Sequence, residues 1–196
     1  MKKILFVVIM CFCLFLFGCS EAKQKEAFVQ EYSYYYDSNN VKENWEWFDL
    51  DYYKTSLELK RVIKLDFEDV KEKIENDETF VIYYGFNPEL YQCPYCVATL
   101  PIAINAFNEI DCDIYYLDIY AMRASNTEEY QYLYNQLAAD GVFGEKILAP
   151  TYVSYREGEV YKYQIATFKN EEGRWITDLN TEQKEQLKEK YQNLLK

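Results

Sequence analysis

Runs of β-branched and aromatic residues recur from residue 61 onward, and such runs predict β-strands. The runs TFVIYY and DIYYLDI are typical of strands that are buried. The last two runs flank Arg-Glu-Gly at 156–158, which predicts a β-hairpin. The five predicted strands are residues 61–65, 79–84, 113–119, 151–155 and 159–165.

Helical periodicity and capping residues predict helices between and around these strands. Asp66 is placed to cap one helix, and Ser125 with Glu128 forms a capping-box pattern at the start of another. The predicted helices are residues 21–36, 66–76, 93–109, 125–140 and 181–195. From the first strand onward the order is βα-βα-βα-ββ-α, which predicts an α/β fold: a mixed sheet flanked by helices on both faces.

The first residues have the pattern of an export signal. Lys2 and Lys3 precede an uninterrupted apolar run at 4–17, which is shorter than the roughly 20 residues of a membrane span. The run ends in Gly18-Cys19, which resembles the bacterial lipoprotein signal, where the cysteine is lipidated and becomes the mature N-terminus. The alternative is an uncleaved membrane anchor. Both interpretations predict an extracytoplasmic protein held at the cell membrane, and the first places at least two acyl chains on Cys19.

The segment after Cys19 is acidic and unusually aromatic. Phe28, Tyr32 and Tyr35 follow helical spacing, and Trp45 and further aromatic residues come after them. A simple tether has no need of these side chains, so we expect the aromatic part to dock on the domain. It either extends the core or presents an aromatic surface to a ligand. We call residues 19–59 the N-terminal extension.

Composition excludes several classes of function. The formal net charge is −12, so the chain lacks the basic footprint of a nucleic-acid binder. The chain contains no histidine, which removes Ser-His-Asp and Cys-His catalysis as well as His-ligated zinc or iron. We therefore expect no nucleic-acid partner and no metal cofactor.

The candidate chemistry lies at Cys93-Pro94-Tyr95-Cys96. The C-x-x-C spacing places two thiols one helical turn apart, the first at a helix N-terminus. Free N–H groups and the helix dipole favour the thiolate there, and the second thiol can attack a mixed disulfide formed on the first. Pro94 suits the first turn of a helix. We expect Cys93 to be the more exposed thiol and Cys96 to be buried.

Further residues strengthen a resemblance to the thioredoxin-like family. Pro101 lies five residues after Cys96, as the helix-kinking proline does in thioredoxins, and Ala149-Pro150-Thr151 resembles their cis-proline segment. The Pro-Tyr pair between the cysteines is the one seen in glutaredoxins. The resemblance implies the thioredoxin-like fold over 60–196, after a signal at 1–18 and the lipidated extension at 19–59.

The resemblance also implies site roles. Cys93 would be the attacking thiol, Cys96 the resolving thiol, and Pro150, in a cis peptide, would shape the substrate groove beside Pro94 and Tyr95. The Cys93–Cys96 disulfide would itself be the redox group, so the resemblance implies no bound cofactor. The partners would be thiols or disulfides of exported proteins.

The chain lacks one feature of the thioredoxin-like family, and the role of the cysteine pair has alternatives. The buried acid that assists proton transfer in thioredoxins falls on Ile82, unless Glu89 or Asp118 substitutes for it. The Cys93–Cys96 pair could be a structural disulfide of a non-catalytic surface module, for example an export accessory or partner-binding domain. With Cys112 the pair could also take a soft metal, although the ligand set is incomplete. Two flanking acids predict an unreactive Cys112.

Overall fold

The computed structural model describes residues 20–139 and 145–196. The predicted signal, Cys19 and residues 140–144 at the end of one predicted helix lie outside the described residues. Within the two described ranges, no helix has both the length and the hydrophobicity needed to cross a bilayer.

Five strands form one mixed sheet. The strands are β1 (Val62–Lys64), β2 (Phe80–Gly85), β3 (Ile114–Asp118), β4 (Thr151–Arg156) and β5 (Glu159–Ile165). Their order across the sheet is β1-β3-β2-β4-β5, with β2 at the centre. β1, β3 and β2 are parallel, whereas β4 and β5 run antiparallel as a hairpin. All five strand predictions are confirmed to within two residues at each end.

Helices precede, connect and follow these strands. The first, α1, covers residues 20–32 and continues into a 3-10 turn at Ser33–Tyr36. The others are α2 (Leu50–Glu58), α3 (Phe67–Glu75), α4 (Pro94–Glu109), α5 (Tyr120–Ser125), α6 (Glu128–Ala138) and α7 (Thr181–Gln192). Asp66 caps α3 in a capping box, as predicted. The mixed sheet flanked by helices confirms the predicted fold class.

The predicted capping box at Ser125 is wrong. Ser125 is the last residue of α5, a short helix that the sequence pattern did not indicate, and Asn126 closes it in a left-handed conformation with φ of 50°. The cap of α6 is Thr127, whose side chain accepts a hydrogen bond from the Tyr130 N–H. A left-handed residue after a helix is a common stop, and the chain must straighten before the next helix can begin.

Adjacent tyrosines of β2 divide the core into two layers, because neighbouring side chains of a strand point to opposite faces. Tyr83 stacks on Tyr152 with ring centroids 4.8 Å apart, on the face covered by α1, α4 and α7. The Tyr84 hydroxyl lies 3.0 Å from that of Tyr155 on the opposite face. Both tyrosines of β2 are fully buried, so they belong to the core.

The N-terminal extension packs into the same core as the sheet. Phe28 and Tyr32 of α1 are buried against Tyr116 of β3. The buried carboxylate of Glu31 accepts a hydrogen bond of 2.8 Å from the Tyr116 hydroxyl and pairs with Lys64 of β1. These contacts fix α1 on the sheet, and the aromatic part of the extension docks as the sequence predicts.

Candidate active site

The two cysteines of the C-x-x-C motif form a disulfide at the N-terminus of α4. Cys93 is the N-cap residue, and Pro94 occupies the first turn, where a missing N–H costs nothing. The backbone N–H of Cys96 points at the Cys93 sulfur, with an N–Sγ distance of 3.2 Å. This geometry places a backbone donor and the positive end of the helix dipole at Cys93 Sγ, where they favour negative charge once the disulfide is reduced.

The loop before β4 faces the disulfide from across the site. The Ala149–Pro150 peptide is cis, as the resemblance implied. The Ala149 carbonyl oxygen lies 3.7 Å from Cys93 Sγ, although the two residues are 56 positions apart in the chain. The fold thus brings Pro150 and both cysteines together, with Pro94 and Tyr95 half-buried at the start of α4. Pro101 lies within α4, as the resemblance also implied.

Both cysteines are buried. Cys93 exposes 3% of its surface and Cys96 exposes 1%, so Cys93 is the more exposed thiol by only a small margin in this oxidised form. Burial of Cys96 follows from its position one turn into α4, where Thr99 Oγ1 donates to its carbonyl oxygen over 3.3 Å. Cys93 lies between the loop before β4 and the part of the N-terminal extension that contacts Gln92.

Residues of the extension contact the chain at Cys93. The Gln92 side-chain amide donates to the Tyr34 hydroxyl at 3.3 Å and to the Asn40 carbonyl oxygen at 3.1 Å. Tyr35 is buried, and its phenol lies near the backbone of Cys93. Burial and the neighbouring Tyr34 raise the pKa of Tyr35, so its phenol stays neutral at physiological pH. The sequence offers no signal for these contacts, which join residues more than 50 positions apart.

The position that the resemblance assigns to a buried acid is held by Ile82, which is fully buried. Of the two acids considered as substitutes, Glu89 is exposed. Asp118 Oδ1 accepts hydrogen bonds from the backbone N–H groups of Asn87 and Tyr120, at 3.2 and 2.9 Å. Asp118 therefore fixes the start of the loop that leads to Cys93. The buried carboxylate on the Tyr83 face of the sheet is Glu31, which sequence reasoning missed.

An aromatic group supports the loop between β2 and α4. Tyr91 stacks on Tyr120 at 5.5 Å, and Phe86 contacts both rings edge-on. The Arg123 guanidinium lies over Phe86 at 4.4 Å and also donates to the Ile147 carbonyl oxygen, close to the cis-proline loop. Leu90 and Tyr91 remain 55% and 48% exposed beside the motif. The site therefore has an apolar rim on this side.

Cys112 is separate from the motif cysteines. It is a free, half-buried thiol just before β3, and its sulfur lies 3.2 Å from the Asp113 carbonyl oxygen. Burial and the neighbouring Asp113 raise its pKa, with Arg61 opposing the rise. In the described part of the chain, no three Cys, Asp or Glu side chains converge on a position that could hold a metal ion.

The strand order and the disulfide at the start of α4 define the thioredoxin-like fold. No protein-family profile matches the chain, and no curated protein is similar to it. Solved structures are similar at low identity. Thioredoxin O2 from Arabidopsis thaliana in its oxidised state shares 14% identity, with a TM-score of 0.43, over 69% of this chain and 96% of that one.

Two further structures are similar to a comparable degree. A mutant thioredoxin from Halobacterium salinarum shares 16% identity over 69% of this chain and 89% of its own, with a TM-score of 0.37. A proposed oxidoreductase with a thioredoxin fold shares 16% identity over 59% of this chain and 87% of its own, with a TM-score of 0.38. At these values the fold assignment rests on the strand order and helix positions of this chain itself.

Proposed function

We propose that the protein is a thiol–disulfide oxidoreductase whose redox group is the Cys93–Cys96 disulfide. The placement of that disulfide carries the proposal: it caps α4, receives the Cys96 N–H at 3.2 Å and faces the Ala149 carbonyl oxygen at 3.7 Å. A helix N-terminus stabilises a thiolate on the first cysteine, and a thiolate is the attacking species in disulfide exchange.

The proposed exchange balances without a bound cofactor. In the reduced protein the Cys93 thiolate attacks one sulfur of a substrate disulfide, which forms a mixed disulfide and releases the other substrate sulfur as a thiolate. Cys96 then loses its proton and attacks Cys93 Sγ, which releases the second substrate thiolate. The substrate gains two electrons and the protein loses them, and the reverse sequence oxidises a substrate dithiol.

We place this exchange outside the cytoplasmic membrane, with exported proteins as substrates. The support is the pattern of Lys2, the apolar run at 4–17 and Gly18-Cys19. Disulfides also persist in such compartments. Replacing Cys19 by Ala should abolish acyl labelling and block lipoprotein-type cleavage of the precursor. Labelling that survives the replacement would refute the lipid assignment.

An activity assay with a redox titration tests the proposed function. The chain from residue 20 onward should catalyse insulin reduction by dithiothreitol, and the Cys93→Ser/Cys96→Ser variant serves as the control. Equilibration with glutathione buffers should give a reversible two-electron transition, whose midpoint shows whether the protein serves as reductant or oxidant. Failure to accelerate either insulin reduction or the oxidation of a reduced substrate would refute the proposal.

The burial of both cysteines favours a second candidate, a non-catalytic surface module with a structural disulfide. A structural disulfide resists reduction in the native protein and contributes to its stability. If dithiothreitol reduces the pair only under conditions that unfold the domain, this second candidate is correct. Reduction at native pH with an unchanged far-ultraviolet circular dichroism spectrum favours the oxidoreductase.

A further inference from the structure

We propose that residues 33–49, which we call the strap, gate access to Cys93 by opening and closing between two fixed anchors. The strap contacts Gln92, the residue directly before Cys93, and Cys93 exposes only 3% of its surface beside this contact. The physiological role of this gate rests on the proposed function, because only a thiol that exchanges with a partner must become accessible.

The first anchor precedes the strap. At the end of α1, Glu31 pairs with Lys64 and accepts a hydrogen bond from Tyr116, so it holds α1 on β1 and β3. Tyr32 lies 3.0 Å from the hydroxyl of Tyr83 and donates to the Phe86 carbonyl oxygen at 3.1 Å. The start of the strap is thus fixed by buried polar contacts, which are costly to break.

The second anchor follows the strap. In α2, Ser56 Oγ accepts a hydrogen bond of 2.7 Å from the side-chain amide of Asn105, one of the last residues of α4. Tyr53 and Leu57 of the same helix are buried. The end of the strap is therefore fixed on the helix that carries the disulfide, about one turn beyond Pro101.

The strap itself is held more weakly than its anchors. Its regular structure consists of 3-10 turns at Ser33–Tyr36 and Ser38–Asn40, which are short elements with poor hydrogen-bond geometry. Tyr35 contacts the rings of Tyr34, Trp45, Phe48 and Tyr53, all of which belong to the extension. Tyr53 belongs to the second anchor and the other rings to the strap, and none of these contacts reaches the sheet, so opening requires only that the strap rings separate from Tyr53.

The Gln92 side chain is the contact that closes the strap over the site. Its amide bridges Tyr34 and Asn40, and Asn40 Nδ2 donates to the Tyr34 carbonyl oxygen at 2.8 Å. Gln92 directly precedes Cys93, so loss of this bridge frees the strap at the point where it covers the thiol. When a segment opens locally, the rate at which a reagent reacts with the group beneath it is proportional to the population of the open state.

The rate at which Cys93 is alkylated tests the gate and needs no substrate exchange. The reduced chain from residue 20 onward, carrying Cys112→Ser, is treated with N-ethylmaleimide over a range of pH, and the modified cysteine is identified by mass spectrometry. The rate at high pH, where the thiol is fully ionised, reports access alone. It should lie at least about tenfold below the rate for the same chain in urea, which corresponds to about 1.4 kcal/mol.

Two variants weaken the bridge from opposite sides. Gln92→Ala deletes the donor, and Tyr34→Phe deletes only one acceptor oxygen, on a residue far from Cys93 in sequence. Each should raise the high-pH alkylation rate of Cys93 several-fold. The control is Asn39→Ala, because Asn39 is an exposed strap residue whose hydrogen bonds go to Asp37. Its rate should equal that of the parent chain.

Two results would overturn the gate: a parent alkylation rate equal to that in urea, or bridge variants that react no faster than Asn39→Ala. Insulin reduction measured in parallel separates this outcome from the proposed function. A protein that reduces insulin but shows no gating is an oxidoreductase without a gate. Gated alkylation without any disulfide exchange would support the gate and refute the proposed function.

Discussion

The hydroxyl oxygen of Tyr32, in the N-terminal extension, lies 3.0 Å from that of Tyr83, on the central strand of the sheet. Both side chains are buried, and Tyr32 also stacks on Phe28 at 4.4 Å. Residues that precede the first strand thus form part of the core that supports the disulfide.

Removal of the extension should therefore destabilise the domain severely. A chain that starts at residue 60 loses Phe28, Tyr32 and Tyr35 from the core, and deleting one large buried aromatic side chain costs about 3–5 kcal/mol. Such a loss is comparable with the whole stability of a domain, about 5–15 kcal/mol. Urea unfolding of chains 20–196 and 60–196 checks this prediction. Equal unfolding midpoints would show that the extension is only a tether.

The two motif cysteines should behave differently when they are replaced one at a time. Cys96→Ser leaves Cys93 with the helix N-terminus beside it, so it should accumulate mixed disulfides with substrates that nothing resolves. Cys93→Ser should trap almost nothing, because Cys96 lies inside α4, away from the N-terminus that favours the thiolate at Cys93. Non-reducing gels of both variants after incubation with oxidised insulin measure the difference. Equal trapping would mean that the nucleophile is assigned wrongly.

Cys112 should ionise at a higher pH than an ordinary cysteine, because burial and Asp113 raise its pKa above the usual value. A raised pKa leaves less thiolate at pH 8 and shifts the alkylation profile to higher pH. Arg61 opposes the rise, so Arg61→Gln should shift the profile further in the same direction. Alkylation rates of a Cys93→Ser/Cys96→Ser background between pH 7 and 10.5 check this. A profile that moves to lower pH in Arg61→Gln would contradict the electrostatic account.

Stability should fall steeply in alkaline solution. Burial raises the pKa of several core tyrosines well above 10, among them Tyr32, Tyr83, Tyr84 and Tyr116. The folded protein holds these protons more tightly than the unfolded chain, so their contribution is complete below pH 10 and is lost as pH rises further. Each such group contributes a slope of about 1.4 kcal/mol per pH unit.

Urea unfolding at intervals between pH 7 and 11.5 measures this loss. In Tyr84→Phe the unfolding free energy should fall less steeply with pH, by the contribution of one tyrosine. The variant removes one titrating hydroxyl but keeps the ring that packs in the core. An unfolding free energy that stays constant up to pH 11.5 would show that these phenols are accessible to solvent in the folded state.

The sequence predicts the order of elements well, because strands and caps leave local patterns. Asp66 and the apolar runs at 79–84 and 113–119 mark their elements within a few residues. The capping-box pattern at Ser125 fails because Asn126 adopts a left-handed conformation, and nothing in the pattern distinguishes it from a residue inside a helix. The motif residues were found through spacing and resemblance.

The contact between the strap and Gln92, beside the C-x-x-C motif, could not be predicted in the same way. Tyr34 and Gln92 are 58 positions apart, and a single hydrogen bond between such distant residues leaves no periodic pattern. The aromatic content of the extension predicts that it docks but does not indicate where. The sequence also gives no indication that the carboxylate of Glu31 is buried and paired, because a lone acid in a helix is most often exposed.

The edges of the sheet bear on how the protein behaves at high concentration. An open edge strand is a template on which a second chain can add, and such addition leads to aggregation. At one edge β1 has only three residues, which offers little length for pairing. At the other, β5 carries Glu159 and Lys162, and Lys162 reaches back to the Asn193 carbonyl oxygen at 3.2 Å. At high concentration, strand addition between molecules is thus disfavoured at one edge by its short length and at the other by its charged residues.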